Sequence, residues 1–245
     1  MYTILLLIKL IVIAGFQTSN PDAAEILKKV DENLVSDNRI TTSRMVIRGK
    51  RTERIIAAKS YIKGTEDTYT VYLSPEREKG TKMLKLSDKL WIYSPSTDRI
   101  IQISGHMLRQ SVMGSDLSYE DMMDNTKLLD AYDPKIIKEE TIDSRSCWVI
   151  ELIAKSSDVS YQKRLLWVDQ EKYIPLKEEL YAKGGQLLKR ITLSDIREVD
   201  GRTFPFKMNF KDMLKDGEGT DFIIDDLSFN KEIPEEYFNK SVLKK

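Results

Sequence analysis

The chain has 245 residues, 41% hydrophobic and 32% charged, with 11 Gly, 7 Pro and one Cys. That supplies enough apolar material for one large β-rich core and too little Gly and Pro for a low-complexity chain. Because 39 basic residues balance 39 acidic ones, the basic excess typical of nucleic-acid binding or of a polybasic membrane patch is missing, and partners are expected to be recognised through shape and apolar contact.

In chain order, residues 4–16 are apolar apart from Lys9, and the polar run Gln17-Thr18-Ser19-Asn20 follows. This length suits the apolar region of a secretory signal and is short for a membrane span, which needs ~20 apolar residues. Residues 1–19 are therefore read as a signal peptide, with an uncleaved N-terminal anchor as the alternative, and residues 20–245 as one domain. No Cys lies near the end of the signal, so no lipoprotein anchor is expected on the mature chain. The single Cys147 excludes an internal disulfide and a cysteine-based metal cluster; beside Trp148 in an apolar strand pattern, it reads as a small buried hydrophobe.

Pro21-Asp22 opens a helix over 22–35, where Ala23, Ile26, Leu27, Val30 and Leu34 recur at helical spacing. From Thr41 the period becomes two. Strand patterns follow at 54–63, 68–73, 82–86, 89–94 and 99–104, and after a break at 136–141, 147–153, 163–169, 176–182, 187–196, 204–210 and 222–229. Gly184-Gly185 and Asp200-Gly201 are strong hairpin signals. Short strands without intervening helices predict a mainly β fold: one curved antiparallel meander of about eleven strands forming an incomplete β-barrel, apolar on one face and largely charged on the other. The helix at 22–35 and a second near 118–131 are expected to cover part of the open concave side and to leave a cavity. Its candidate wall residues are Met45, Ile47, Trp91, Trp148, Phe204, Phe206, Met208 and Phe210; packed core uses the same residue types, so both readings stay open.

Residues 105–131 interrupt the strands. The run Met107, Leu108, Val112, Met113, Gly114, Ser115, Asp116, Leu117, Ser118, Tyr119, Glu120 and Asp121 reads as a loop leading into a helix, with Ser118 and Asp121 at the helix start. Long loops in compact domains are often lids or binding segments. Asp116, Glu120, Asp121 and Asp124 invite a reading as catalytic carboxylates or a metal site. Carboxylates at a helix start, however, are favoured by the dipole alone, and His106 is the only histidine. Asp116 and Ser115 are therefore expected to cap backbone amides and fix the loop, with no catalytic residue, metal or cofactor. The methionines fit either core beneath a loop or an adaptable rim for a lipid.

The run Met113-Gly114-Ser115-Asp116-Leu117-Ser118-Tyr119-Glu120-Asp121 resembles the G-[ST]-D-[FL]-S-Y-E-D loop of the LolA-like outer-membrane lipoprotein-sorting proteins. Ala24-Glu25-Ile26-Leu27-Lys28-Lys29-Val30-Asp31-Glu32, Leu166-Trp167-Val168-Asp169, Pro175-Leu176-Lys177-Glu178, Gly201-Arg202-Thr203-Phe204-Pro205 and the closing Phe229-Asn230, Ile233-Pro234 and Phe238 match in the same order. The resemblance implies an incomplete β-barrel with helices across its open side, a periplasmic location and a non-enzymatic carrier. In such a carrier an apolar cavity shelters the acyl chains of lipoproteins or lipids on the way to the outer membrane. Transient membrane contact and an inner-membrane transporter or exporter are the implied partners. The alternative is an accessory or stress-sensing binding domain on the same fold, working with an exporter or another protein partner.

Overall fold

The computed structural model describes residues 21–49, 52–124 and 128–245; the expected signal peptide at 1–19 lies outside them. Helix α1 (Ala23–Leu34) begins at Asp22, whose carboxylate accepts the Ala24 amide at 3.1 Å, satisfying one of the free amides of the first turn. Its stripe of Ala23, Ile26, Leu27 and Val30 is buried against Trp148, Ile150, Leu152, Leu166 and Val168.

Strands β1 (Asn38–Arg48), β2 (Glu53–Lys63), β3 (Asp67–Ser74), β4 (Lys82–Leu86), β5 (Lys89–Ser94) and β6 (Arg99–Ile103) come next. Two short helices, α2 (Tyr119–Met123) and α3 (Leu128–Ala131), precede β7 (Tyr132–Ile142), β8 (Arg145–Ala154), β9 (Lys163–Asp169), β10 (Pro175–Tyr181), β11 (Leu187–Val199), β12 (Arg202–Asp212) and β13 (Thr220–Phe229). All thirteen form one antiparallel sheet in the order β6-β5-β4-β3-β2-β1-β13-β12-β11-β10-β9-β8-β7. The count is above the expected eleven or so, but each strand falls on one of the period-two stretches read from the sequence, the five-residue β4 and β6 included.

The order also departs from a single meander. Residues 38–103 form one meander and 132–229 another, and the first and last strands join them in the middle of the sheet. The edges are then β6 and β7, which do not pair, so the barrel stays open. The Asp200-Gly201 hairpin has φ of 51° and 75°, both positive as a type I′ turn requires. Asp143-Ser144, at φ 47° and 66°, turns the same way without glycine.

Period-two alternation sends Met45 and Ile47 of β1 to the concave face, where they pack with Ile56, Tyr72, Met83 and Leu90. The other face is less uniformly charged than the alternation implied. Val242 and Leu243 of the C-terminal segment fold back over Tyr69, Leu84 and Trp91 on the convex side. Cys147, Val149, Trp167, Ile174 and Leu176 make a second convex cluster. Apolar strand positions beside charged ones concealed both, because the covering segment is remote in sequence.

At the central seam, Asp221 of β13 is 3% exposed. It accepts hydrogen bonds from Arg48 of β1 at 2.7 Å and Asn209 of β12 at 2.8 Å, with Lys207 of β12 at 3.2 Å. Burial opposes its ionisation, but these three donors outweigh it and pull the carboxyl from 3.8 down to about 2. A carboxyl lowered on folding adds stability above its unfolded pKa and loses it as pH falls toward the folded value. Asp221→Asn is therefore expected to cost about 2 kcal/mol at neutral pH and to flatten the loss of stability between about pH 4 and pH 2, as read from urea unfolding across that range.

Candidate functional site

Beneath α1, α2 and α3 the concave face encloses a cavity of about 490 Å³. Its roof includes Val30 and Leu34 of α1, Met122 of α2 and Leu128 of α3. The floor has two characters. Leu166, Leu193, Phe204, Met208, Phe222 and Ile224 present hydrocarbon, whereas Thr41, Ser60, Thr68 and Thr70 present hydroxyls. The hydroxyls arise because concave positions of β1, β2 and β3 carry Thr and Ser where neighbouring strands carry Phe, Ile and Leu; Ser60 and Thr70 bond each other at 2.8 Å.

Of the wall residues named from sequence, Phe204 and Met208 line this cavity. Met45 and Ile47 sit on the same face but under the crossing segment, in a packed cluster with Val112, Met113 and Tyr119. Trp148 lies under α1, its ring 5.6 Å from that of Tyr173 and tilted 39° to it. Phe206 packs in a cluster with Phe204, Ile224 and Phe229, with the Arg197 guanidinium 4.3 Å from its ring. Phe210, half-buried, pairs with Ile191 and Thr220 across the sheet. Trp91 is on the convex side beneath the C-terminal segment, because its neighbour Leu90 takes the inward position.

Residues 104–124 and 128–131 lie across the open side. Met107, Leu108, Met113, Tyr119 and Met122 pack onto the concave cluster, and Val112 is completely buried. The polar residues of the Gly-Ser-Asp run fasten it. Gly114 is at φ +74°, and Arg54 donates to the Met113 carbonyl at 2.8 Å. Ser115, 1% exposed, accepts the Leu117 amide at 3.2 Å. Asp116 accepts the Asp212 amide and the Thr220 hydroxyl, each at 3.0 Å. Ser118 and Asp121 form a reciprocal capping box at the start of α2. Asp121 also pairs with Lys189 and accepts the Tyr161 hydroxyl at 2.5 Å. Burial disfavours its charge, but Lys189 and the other donors outweigh that and keep the carboxyl below its ordinary range. Glu120 accepts the Ser160 hydroxyl at 2.7 Å. His106 is exposed.

Charged groups that the alternation pattern passed over also reach the cavity. Arg164 of β9 pairs with Asp124 and with Glu178 at 3.2 Å, and its Nε donates to the Tyr132 hydroxyl at 2.8 Å. Burial works against the Arg164 charge, but Glu178 and Asp124 raise its pKa overall, while burial pushes Glu178 up. Arg39, at the start of β1, also lines the cavity. The signal in the sequence was a basic residue at an inward register position: Arg164 stands opposite Leu152 and Leu180.

Asp116 is the bolt between the crossing segment and the β12–β13 end of the sheet. Asp116→Ala strands the Asp212 amide and the Thr220 hydroxyl, an expected loss of ~1–3 kcal/mol. Hydrogen exchange should rise across 111–124 and stay unchanged in α1; uniform acceleration over the whole chain would show that the bolt is global.

A family model described as an uncharacterized protein family matches residues 64–245, and no curated protein matches the chain. Among solved structures, one from Vibrio parahaemolyticus, described as an outer membrane lipoprotein-sorting protein domain, is 26% identical with a TM-score of 0.76, covering 91% of this chain and 100% of that one. A LolA superfamily protein from Nitrosomonas europaea is 26% identical with a TM-score of 0.75, again over 91% and 100%. A DUF1329 family protein from Desulfovibrio piger shares the fold at 24% identity and a TM-score of 0.80, over 90% and 97%. With an open thirteen-stranded sheet, helices across its concave side and a cavity between them, the chain has the LolA-like fold of these outer-membrane lipoprotein-sorting domains and belongs to the uncharacterized family whose model matches residues 64–245.

Proposed function

We propose that this protein is a non-enzymatic periplasmic carrier that holds an acyl chain of a lipoprotein or lipid in the cavity and moves it toward the outer membrane. The observation that carries this reading is the 490 Å³ cavity between sheet and helices, floored on one side by Leu, Phe, Met and Ile. A methylene leaving a bilayer needs an equivalent apolar environment, worth ~0.8 kcal/mol, and such a floor provides it without demanding one chain length. Phe204 and Met208, named from the sequence, lie in that floor. Residues 1–19 act as the export signal on this reading, and among the described residues no helix is long and apolar enough to cross a membrane. Segment 105–131 serves as the lid, and an inner-membrane transporter or exporter loads the carrier during transient membrane contact. Release requires the loaded state to be little better than the acceptor, which a lid achieves by exchanging contacts with the empty cavity for contacts with cargo.

Native mass spectrometry of the protein isolated from its own envelope fraction tests this. Acyl-bearing molecules should be recovered in stoichiometric amount. They should be lost from Leu193→Trp, which fills the cavity, and from Met208→Asp, and be retained by Leu214→Asp on an exposed hairpin tip. An empty cavity with a co-purifying protein would instead favour a partner-binding accessory domain.

A further inference from the structure

Arginines line the cavity at two places, and only one has acidic partners. Arg164 is satisfied by Asp124, Glu178 and the Tyr132 hydroxyl. Arg39 is different. Its Nη1 donates to the Leu34 carbonyl at 3.2 Å and its guanidinium lies 5.3 Å from the Phe204 ring. Its Nε is buried with no hydrogen-bond partner, and among the described residues no carboxylate makes an ion pair with it. The side chain is half-buried overall with its Nε enclosed, and the cavity is the space left against it. Beside it stand the Ser36, Thr41, Ser60 and Thr70 hydroxyls, and beyond Phe204 the hydrocarbon floor begins. The site is thus amphiphilic, with a cation and hydroxyls at one end and apolar side chains at the other.

Volume narrows the choice. At about 490 Å³ the cavity lies within the roughly 300–1,000 Å³ of small-ligand sites, the scale of one long acyl chain. We infer that the cavity is built for a single-chain amphiphile whose anionic head group pairs with Arg39. This rests on the carrier reading and names the ligand class within it.

An enclosed cation without an anionic partner is destabilising, and an anionic ligand reverses that cost on arrival. Burial pushes the Arg39 guanidinium down to about 10, still cationic at neutral pH. A site that pairs a polar group discriminates strongly against an analogue lacking it, so head-group charge should govern affinity as much as chain length does.

The test is calorimetric titration of the delipidated mature protein with palmitate, 1-palmitoyl lysophosphatidate, hexadecanol, dodecyltrimethylammonium and inorganic phosphate. Palmitate or lysophosphatidate is expected to bind at least about tenfold more tightly than hexadecanol. The tighter of the two identifies carboxylate or phosphate as the head. Arg39→Met should remove that advantage, bringing the anionic chains to the affinity that the same variant shows for hexadecanol, and Arg39→Lys should restore part of it. The unliganded Arg39→Met protein should melt no lower than wild type. Equal affinity for palmitate, hexadecanol and the cationic amphiphile would overturn the inference while leaving the carrier reading standing. So would phosphate alone binding as tightly as lysophosphatidate, or a lower melting temperature in Arg39→Met with parallel loss of all chains. Failure of every chain to bind would remove the carrier reading as well.

Discussion

Everything in this molecule follows from where the sheet closes on itself and where it does not. The chain's first and last strands pair at the centre, β1 with β13, and this pushes the unpaired edges out to β6 and β7. The peptide joining those edges has to travel from one rim to the other. The short way is across the concave side, where its Met, Leu and Val side chains find the apolar face they need. The crossing segment, the lid of the proposed carrier, is therefore a consequence of strand order, and the Gly-Ser-Asp run fixes its course. The bonds of Asp116 to the Thr220 hydroxyl and the Asp212 amide hold the lid to the far half of the sheet. Lys189 and Tyr161 hold Asp121 to the strands and loop beyond. Carboxylates that resemble an active site in sequence are here spent on fastening.

The same strand order determines how the concave side is filled. Under 107–123 the lid and the first meander pack to completion, around Val112 and Leu90. At the other rim α1 seals Trp148, Ile150 and Leu152. Between these two packed regions lies a stretch that the helices roof but do not fill, and there the sheet carries Thr, Ser and Arg among its apolar positions. Large apolar residues at Thr41, Ser60 and Thr70 would let the roof settle onto the floor, since interiors tend to native packing density. Hydroxyls and guanidinium groups resist that collapse because each must keep a polar partner. The Arg164–Glu178–Asp124 group acts as a strut on one wall.

The strand pattern was legible because period-two alternation is local. Phe204, Phe206, Met208 and Phe210 declare a strand by themselves, and Asp200-Gly201 declares its turn. Strand order was not, since nothing local says that β1 will meet β13 rather than end at an edge. The cavity wall was legible only in part, for the same reason. Trp91 and Met208 are equally apolar at strand positions, but which side a C-terminal segment 150 residues away will cover depends on Val242 and Leu243 reaching Leu84. The residues missed altogether, Arg39 and Arg164, belong to a class that sequence reading assigns to the solvated face by default. Only the register, with Arg164 opposite Leu152 and Leu180, turns them inward.

Those inward charges bear on how a carrier of this kind can let go. An all-hydrocarbon cavity would bind a chain in proportion to its buried area and release it only to something more apolar. A cavity with a polar wall holds the same chain less tightly, because part of its surface gives nothing to methylene groups. The lid adds a second compensating contribution. Met122 and the residues of the crossing segment touch concave side chains, so on the proposed reading cargo must displace favourable contacts as well as make them. Both effects bring loaded and empty states toward the same free energy. On the proposed carrier reading, transfer between two membranes requires that balance, and a sheet with unpaired edges bridged by its own chain is suited to provide it.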